Sequence, residues 1–470
     1  NGTSFWDVVF NGVGGNWAFS GAASSTNDLT IATGTVTLSL STTTVGGSFQ
    51  NTGGTFMHNN GLVLLTANSG GETIRANGSS FYDITFNGGG GGWSFFDASA
   101  TSSNNFTITN GSVTAPSGTL SVGGSFVNTA TFTHNNGTVR FTSASAGRFI
   151  TPGNSDFYDL TMQGGGSWSF TQSATTTRHL TLLEGTTTLP SALLSVGGSL
   201  TASSTFAHNG GTVRFFATTT GFSVTSATST FYDLLFDSSA GGWTVHSNAT
   251  SSHDTTIRSA SSFRLQSGRT FEVVGTFTNT AGSATAWTGS TLYLNSGTTY
   301  TLNAKTNSGA TYDTLLLGNS TNIRMWNSSA STVTTLTNAS LYSQDHANID
   351  GQLQIHGGYT RTGGPHDRPR ATDSDPTGST GAPRQGNVRI ATGSSVTLSG
   401  GALNIMGSAT ASTSISATHD SVYGFNISGG TVNANYYQFR YLNGTGLNFT
   451  GAPSVASLSF GDMRLVEQGG

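Results

Sequence analysis

Three histidines recur at one place in the sequence and raise the question of a metal site. They are His58, His134 and His208, each followed by Asn-Asn or Asn-Gly. Imidazoles hold a metal only where several ligand atoms converge within a few ångströms. A spacing of about three coils would separate successive copies by roughly 14 Å along the axis of a coiled β structure. We therefore expect these histidines to shape corners of the chain, and we predict no metal site among them.

One aspartate per repeat is the second candidate for chemistry. These residues are Asp7, Asp83, Asp159, Asp233 and Asp313. Carboxylates serve as catalytic acids or bases and as Ca²⁺ ligands, but a catalytic site needs paired acids in one place. The Gly-Gly-x-Gly-x-Asp calcium repeat is also absent from the sequence. We expect each aspartate to accept backbone N–H groups at a strand end.

Four tryptophans follow the same spacing, at Trp17, Trp93, Trp168 and Trp243. An exposed ladder of indoles would stack on sugar rings. The alternative is a core position beside a glycine-rich turn, of which residues 88–92 are the clearest example. The core position is the favoured interpretation, because large aromatic side chains gain most by burial.

Ligand-type side chains gather in one further region, residues 345–375. The metal candidates there are Asp345, His346, Asp373 and Asp375. A bound cation or a glycan is one interpretation. Mixed charges with several prolines favour a solvated loop or a subunit contact. We predict no catalytic residue, no metal and no cofactor.

These residues belong to a repeat of about 75 residues. Its landmarks are a Phe-aromatic-Asp motif, a following tryptophan, a Val-Gly-Gly motif and a Phe-x-His-Asn motif. The Val-Gly-Gly motif begins at Val45, Val122 and Val196, and Val274-Gly275-Thr276 is a loose fourth match. The positions that we assign to the repeat framework in its second copy are Phe81, Tyr82, Asp83, Trp93, Gly123, Gly124, His134 and Asn135.

Short strands and tight turns must position these residues. Thr119-Leu120-Ser121-Val122 alternates polar with apolar residues, which is typical of half-buried strands. Glycine and asparagine at the breaks favour tight corners, and no helical stripe is present. We predict an all-β parallel β-helix (a β-solenoid) with coils of about 20–25 residues. Tandem β-sandwich domains are the alternative, but the few prolines in residues 1–310 do not indicate linkers between beads.

The pattern predicts three regions along the chain. Residues 1–340 form the repeat β-solenoid. Residues 341–390 form a charged, proline-containing loop or insertion. Residues 391–470 continue the solenoid, because strand-like alternation resumes at Ser395 and Leu403.

Composition limits the partners. Charged residues make up 8% of the 470 residues, cysteine is absent and Lys305 is the single lysine. A lysine-rich patch for nucleic acid or anionic lipid is therefore excluded, and no apolar run approaches the length of about 20 residues that spans a membrane. The low charge and the abundance of Ser, Thr, Asn and Gly favour an extracellular or cell-surface location.

The first residues already lie within the repeat, since Asn1-Gly2-Thr3-Ser4 matches Asn77-Gly78-Ser79-Ser80. Repeat arrays usually need polar caps at their ends. Two interpretations stay open: a piece of a longer chain, or ends that stack on neighbouring copies to build a filament.

The segments Leu120-Ser121-Val122-Gly123-Gly124-Ser125-Phe126 and Phe132-Thr133-His134-Asn135-Asn136-Gly137-Thr138-Val139-Arg140-Phe141 resemble bacterial Gly/Ser/Thr/Asn-rich β-strand-repeat surface proteins, broadly similar to filamentous-haemagglutinin-type adhesins. The resemblance covers residues 1–320 by repeat and the remainder by composition. It implies a parallel β-helix, export and a role at the cell surface, and it transfers no functional residues.

Two classes of function follow. The first is an extracellular structural or adhesive rod, whose partners are other copies of itself, stacked head to tail, or surface glycans. The second is a carbohydrate-active enzyme, a lyase or glycosidase, on a β-helix. Acidic residues spread one per repeat favour the rod, and we predict that the protein is not an enzyme.

Overall fold

A computed structural model describes residues 4–295 and 422–465 without interruption. Between these two stretches it describes short segments at 299–303, 311–317, 322–326, 333–337, 341–342, 346–349, 352–356, 359–360, 387–390, 395–406 and 413–417. Side chains are described for residues 4–295 except Ser283, for Ile415, and for residues 422–463 except Gly430 and Asn433.

The described chain is nearly all β. Parallel strands stack into a β-solenoid of about 16 turns over the described residues. This confirms the predicted fold class and excludes a string of β-sandwiches, whose strands would pair antiparallel. Helix is limited, among the same residues, to a single 3-10 turn at Gly282–Ala284. None of the described helical structure is long and apolar enough to cross a membrane.

The first compact unit comprises Asn1–Ala217 with Thr225–Ser229. Its strands are short and punctuated by turns. They are β1 (Val8–Ala18), β2 (Ala23–Ser25), β3 (Leu29–Thr37), β4 (Thr42–Val45), β5 (Phe49–Asn51), β6 (Thr55–Met57), β7 (Leu62–Leu65), β8 (Gly70–Arg75), β9 (Asp83–Phe95), β10 (Ser99–Ser102), β11 (Phe106–Thr114), β12 (Thr119–Val122), β13 (Phe126–Asn128), β14 (Thr131–Thr133), β15 (Thr138–Phe141), β16 (Arg148–Thr151), β17 (Asp159–Met162), β18 (Ser167–Phe170), β19 (Ala174–Thr176), β20 (Leu180–Leu182), β21 (Thr186–Thr188), β22 (Leu193–Val196), β23 (Leu200–Ala202), β24 (Thr205–Ala207) and β25 (Thr212–Phe215).

The second compact unit comprises Thr218–Val224 with Thr230–Gly470, so β26 (Phe222–Ser226) includes residues of both ranges. Its own strands are likewise separated by turns. They are β27 (Thr230–Phe231), β28 (Asp233–Val245), β29 (Ala249–Ser251), β30 (Thr255–Leu265), β31 (Thr270–Val273), β32 (Phe277–Asn279), β33 (Thr285–Leu294), β34 (Thr299–Asn303), β35 (Thr311–Leu317), β36 (Asn322–Trp326), β37 (Val333–Thr337), β38 (Leu341–Tyr342), β39 (His346–Ile349), β40 (Gln352–His356), β41 (Tyr359–Thr360), β42 (Asn387–Ile390), β43 (Ser395–Met406), β44 (Thr413–Ala417), β45 (Tyr423–Asn435), β46 (Tyr437–Phe449), β47 (Ser454–Ser459) and β48 (Asp462–Leu465).

Stacked apolar side chains form the core. Phe86, Phe106 and Phe126 occupy successive coils, all fully buried, with ring centroids 5.5 and 5.6 Å apart. Full burial of a side chain of this size stabilises the fold by roughly 1.5–3 kcal/mol. Side-chain hydrogen bonds between neighbouring coils join residues 19 to 28 apart, a range that includes the predicted coil length.

Successive repeats of the first unit begin on different faces of the coil. A single coil contains Ile84, Phe95 and Ala100, one on each of three ladders. The ladder that starts at Val8 reaches Phe95, whereas the ladder of Ala100 reaches Leu160. The repeat therefore spans between three and four coils rather than three, and each Phe-aromatic-Asp motif is displaced around the axis from the one before.

The predicted loop at residues 341–390 contains strands at its start and end. β38 to β41 occupy its first part and β42 its last residues. Residues 361–386, which carry its prolines, lie outside the described residues. The loop stays a prediction there.

Candidate functional site

The repeated aspartates bind the following coil. Asp7 Oδ1 accepts hydrogen bonds from Asn27 Nδ2 at 2.8 Å and from the Asp28 backbone N–H at 3.0 Å. Asp83 Oδ1 accepts the equivalent pair from Asn104 Nδ2 and the Asn105 N–H, both at 2.9 Å. Each carboxylate thus ties a strand start to the coil above it.

The third and fourth copies keep this geometry with different partners. Asp159 Oδ1 accepts the N–H of His179 at 3.0 Å, and Asp159 Oδ2 lies 3.3 Å from Arg178 Nη1. Asp233 Oδ1 accepts the N–H of Asp254 at 2.9 Å. The backbone N–H is the constant partner, so the role of the carboxylate is to cap a strand end. Asp313 lies outside the residues whose side chains are described.

A second acceptor continues the connection one coil further, and sequence reasoning missed it. The residue whose N–H binds the aspartate offers its own side chain to the next coil. The acceptors and donors are Asp28 Oδ1 with Ser48 N at 2.8 Å, Asn105 Oδ1 with Ser125 N at 3.0 Å, His179 Nδ1 with Ser199 N at 3.1 Å, and Asp254 Oδ1 with Thr276 N at 2.7 Å. The residue at this position is Asp, Asn or His in different copies, so residue identity alone does not reveal the repeat. The available signal was a polar pair directly before each strand.

The Val-Gly-Gly motif brings two coils unusually close. The Gly46 N–H donates to Ser25 O at 2.9 Å, and the Gly123 N–H donates to Ser102 O at 2.8 Å. A Cβ on Gly124 would lie 2.7 Å from Asn105 Oδ1, which is closer than real Cβ contacts. Glycine is required there by the approach of the neighbouring coil.

The loose fourth match of this motif needs a correction of register. The Gly275 N–H donates to His253 O at 2.8 Å, as the Gly47 N–H donates to Asn27 O at 2.9 Å. Gly275 is therefore the second glycine of the motif, and Val274 replaces the first. Val273-Val274-Gly275 is the equivalent segment, one residue earlier than the sequence match.

The repeated histidines lie at corners and accept backbone N–H groups. His58 Nδ1 accepts from Asn60 N at 2.9 Å, and His134 Nδ1 accepts from Asn136 N at 3.0 Å. The same bond joins His208 Nδ1 to Gly210 N at 3.0 Å. A nitrogen that accepts these bonds has no proton, so the proton of the neutral ring is on Nε2.

Left-handed backbone makes these corners tight. Asn135 has a φ of 49° and Asn136 a φ of 57°, a region that asparagine tolerates better than most residues. Asn135 Nδ2 also donates to Ala115 O in the preceding coil at 3.1 Å. The ring of His134 lies 5.4 Å from that of Tyr158, and His58 lies 5.5 Å from Tyr82.

The tryptophans of the second to fourth copies are core residues. Trp93, Trp168 and Trp243 are at most 1% exposed, whereas Trp17 is half-buried in the first coil. Gly111, at a φ of 89°, passes so close to Trp93 that a Cβ would lie 2.9 Å from the indole. Buried indoles offer no face to a sugar ring.

One group of potential ligand atoms emerges from the fold. Among the described residues, Asp233, His253 and Asp254 offer ligand atoms within 4.8 Å of one another. His253 Nδ1 lies 2.7 Å from Asp233 Oδ1, and this hydrogen bond raises the pKa of His253. Both aspartates already accept backbone N–H groups, so the arrangement is explained by strand capping.

The metal candidates Asp345, His346, Asp373 and Asp375 lie outside the residues whose side chains are described. Comparison with protein-family models, with curated proteins and with solved structures finds no match. The resemblance to β-strand-repeat surface proteins stays a hypothesis.

Proposed function

We propose that this chain is an extracellular structural or adhesive rod at a microbial cell surface. Stacked coils with an apolar interior support this proposal, because parallel strands spread backbone hydrogen bonds along the axis. Charged residues make up only 8% of the sequence, so the surface of the coils has few charges. Such a surface suits contact with other neutral polymers better than contact with nucleic acid.

The observation that carries the proposal is the use of the acidic residues. Asp7, Asp83, Asp159 and Asp233 each accept a backbone N–H from the next coil. A lyase or glycosidase needs acids and bases that converge on a substrate. Carboxylates that hold coils together favour a structural role over the enzymatic alternative.

Two kinds of partner fit this role. Rows of outward hydroxyl groups, such as Thr151 and Thr171 with oxygens 2.7 Å apart, can exchange hydrogen bonds with the hydroxyls of surface glycans. Other copies of the chain are the second partner, stacked head to tail into a filament. Both contacts would operate outside the cell.

Negative-stain microscopy of the native material tests the proposal, together with an assay for polysaccharide degradation. We expect rods or fibres without degradative activity. Compact particles that degrade an acidic polysaccharide would contradict the proposal. Asp233→Asn and His253→Asn are the matched variants for that outcome, because loss of activity in both, with the fold retained, would establish the enzyme.

A further inference from the structure

Five triplets of the form Asn-x-Ser or Asn-x-Thr lie within residues 4–295. Their asparagines are Asn77, Asn105, Asn110, Asn136 and Asn248. Enzymes that attach N-linked sugars recognise this triplet and transfer the sugar to the side-chain amide of the asparagine. In a folded chain the amide and the hydroxyl group of the third residue must both be accessible to the enzyme.

Four of these triplets use one of the two groups in a contact between coils. The contacts are Asn105 Oδ1 with the Ser125 N–H at 3.0 Å, Asn248 Oδ1 with the Thr270 N–H at 3.0 Å, Asn110 Nδ2 with Asn87 Oδ1 at 2.6 Å, and, in the triplet of Asn77, Ser79 Oγ with the Phe56 N–H at 3.2 Å. Each contact holds the asparagine or the hydroxyl group against the neighbouring coil.

Asn136 is different, because its neighbour in sequence makes the contact between coils. Asn135 Nδ2 donates to Ala115 O at 3.1 Å. The Asn136 N–H donates to His134 Nδ1 at 3.0 Å, which fixes the backbone of the corner. The Asn136 side chain is exposed, and within residues 4–295 it forms no hydrogen bond. Its amide is therefore accessible at a rigid corner.

The rest of the triplet is also suited to recognition. Gly137 is buried, and a Cβ there would lie 2.2 Å from Pro116 O, so no side chain separates Asn136 from Thr138. Thr138 begins β15 and is half-buried, whereas the next residue, Val139, is buried. Because side chains alternate along a strand, Thr138 faces outward.

The equivalent corner of the first repeat has the same geometry without the triplet. Asn60 has a φ of 57°, as Asn136 has, and its N–H donates to His58 Nδ1 at 2.9 Å. The Gly61 N–H donates to His58 O at 2.9 Å, as the Gly137 N–H does to His134 O. The third residue is Leu62, so the hydroxyl group is missing.

The equivalent corner of the third repeat lacks the other half of the triplet. The Gly210 N–H donates to His208 Nδ1 at 3.0 Å, so Gly210 takes the place of Asn136. Thr212 begins β25 in the place of Thr138. One substitution in each of these two corners would complete the triplet.

We propose that Asn136 is a glycosylation site, at which Nδ2 accepts a sugar from a donor with a diphosphate leaving group. Nδ2 forms a bond to the anomeric carbon, the bond from that carbon to the diphosphate oxygen breaks, and the amide loses one proton to a base of the transferase. The donor is a nucleoside diphosphate sugar or a lipid-linked diphosphate oligosaccharide. This site goes beyond the proposed rod, because it concerns what is attached to the outer surface.

Mass spectrometry of proteolytic peptides from the native material tests the site. We expect the peptide that contains Asn136 to carry a sugar. A single hexose would indicate a nucleotide-linked donor, and a preassembled oligosaccharide would indicate a lipid-linked donor. Native material in which Asn136 is unmodified would overturn the proposal.

A second experiment tests whether the fold selects this triplet. The folded 470-residue chain is incubated with a soluble N-glycosyltransferase and UDP-glucose, and synthetic peptides of the five triplets verify that the enzyme accepts each sequence. We expect glucose on Asn136 and none on the other four asparagines. Thr138→Val should abolish the modification, and Thr138→Ser should retain it.

Matched variants transfer the site to the other corners. Leu62→Thr and Gly210→Asn should each add a second modified asparagine, because the corner geometry is already present. Asparagine tolerates the positive φ of Gly210, and nothing lies within 4 Å of a Cβ there. Circular dichroism verifies that every variant keeps its β content.

Three results of this second experiment would overturn the proposal. The first is a folded chain that stays unmodified at Asn136 although the Asn136 peptide is modified. The second is equal modification of all five triplets in the folded chain, and the third is a failure of both transferred corners to accept glucose. The proposed rod would stand in each case, since its test does not depend on a sugar.

Discussion

An aspartate caps a strand end at the equivalent position of the first four repeats. Its recurrence in one motif was visible in the sequence, and so was its role at a strand end. Its partners were not predictable, because the residues one coil later are Asn27, Asn104, Arg178 and His253 in the four copies. The shared partner is a backbone N–H group. Because almost every residue has one, the sequence does not indicate which N–H is the partner.

Removal of one cap should weaken the first unit measurably. Asp83→Ala loses two hydrogen bonds to a carboxylate, and we expect the free energy of unfolding to fall by about 1–3 kcal/mol. Asp83→Asn keeps an acceptor oxygen and should lose less. Urea denaturation of both variants gives the comparison, and an alanine variant as stable as the unchanged chain would contradict the capping role.

His179 should make the first unit less stable in acid. Burial lowers the pKa of His179 below its ordinary value of 6.5, so the proton binds the unfolded chain more tightly. The stabilisation is present above pH 6.5 and is lost as the pH falls through the folded pKa. His179→Asn keeps an acceptor for Ser199, as Asn105 does for Ser125, and should flatten the acid side of a stability-against-pH curve. An unchanged curve would contradict this assignment.

The stabilisation that His253 contributes should depend on pH in the opposite direction. Its hydrogen bond with Asp233 raises the pKa of His253 above 6.5. The protonated ring stabilises the second unit below pH 6.5, and this contribution is lost as the pH rises through the folded pKa. His253→Asn imitates Asn104 of the second copy and should remove that alkaline loss. Thermal melting between pH 5 and pH 8 separates the two histidines, over about the range in which imidazole titrates.

At the scale of elements, the strands and corners were predictable. The position of each repeat around the solenoid axis was not. Period-two alternation located β12, and glycine and asparagine at the breaks located corners with positive φ. The rotation of successive repeats around the axis was missed. Coil length varies along the chain, so a repeat period alone does not fix the number of coils that it contains.

Neighbouring coils approach closely at the Val-Gly-Gly corner, so a side chain at its glycine positions should destabilise the fold. A Cβ on Gly47 would lie 3.1 Å from the Asn27 carbonyl carbon and closer still to Asp28 Oδ1. Gly47→Ala should therefore lower the melting temperature of the first unit, since the coils must move apart. Gly21→Ala is the control, because nothing lies within 4 Å of a Cβ there. Equal melting temperatures for the two variants would contradict a role for close coil contact.

At the scale of the whole molecule, the repeat was sufficient to predict a parallel β-solenoid. Beads on a string would have needed a complete core in every repeat, whereas short strands here, such as β7 and β15, bury only two side chains each. Strands β38 to β41 were missed, because charges and prolines nearby favoured a loop. Local composition concealed strands whose pairing depends on neighbouring coils.

The central claim is that consecutive coils lie in parallel register, and the absence of native cysteine allows a direct test. Thr107 and Val127 are opposite each other in β11 and β13. Parallel neighbours lie about 4.8 Å apart, within reach of a disulfide. Oxidation of a Thr107→Cys, Val127→Cys chain should give an intramolecular disulfide in nearly all molecules. The pair Thr107→Cys, Ser117→Cys, with one cysteine in the turn before β12, should not form one. Efficient bonding of the second pair without bonding of the first would contradict the stacked-coil structure.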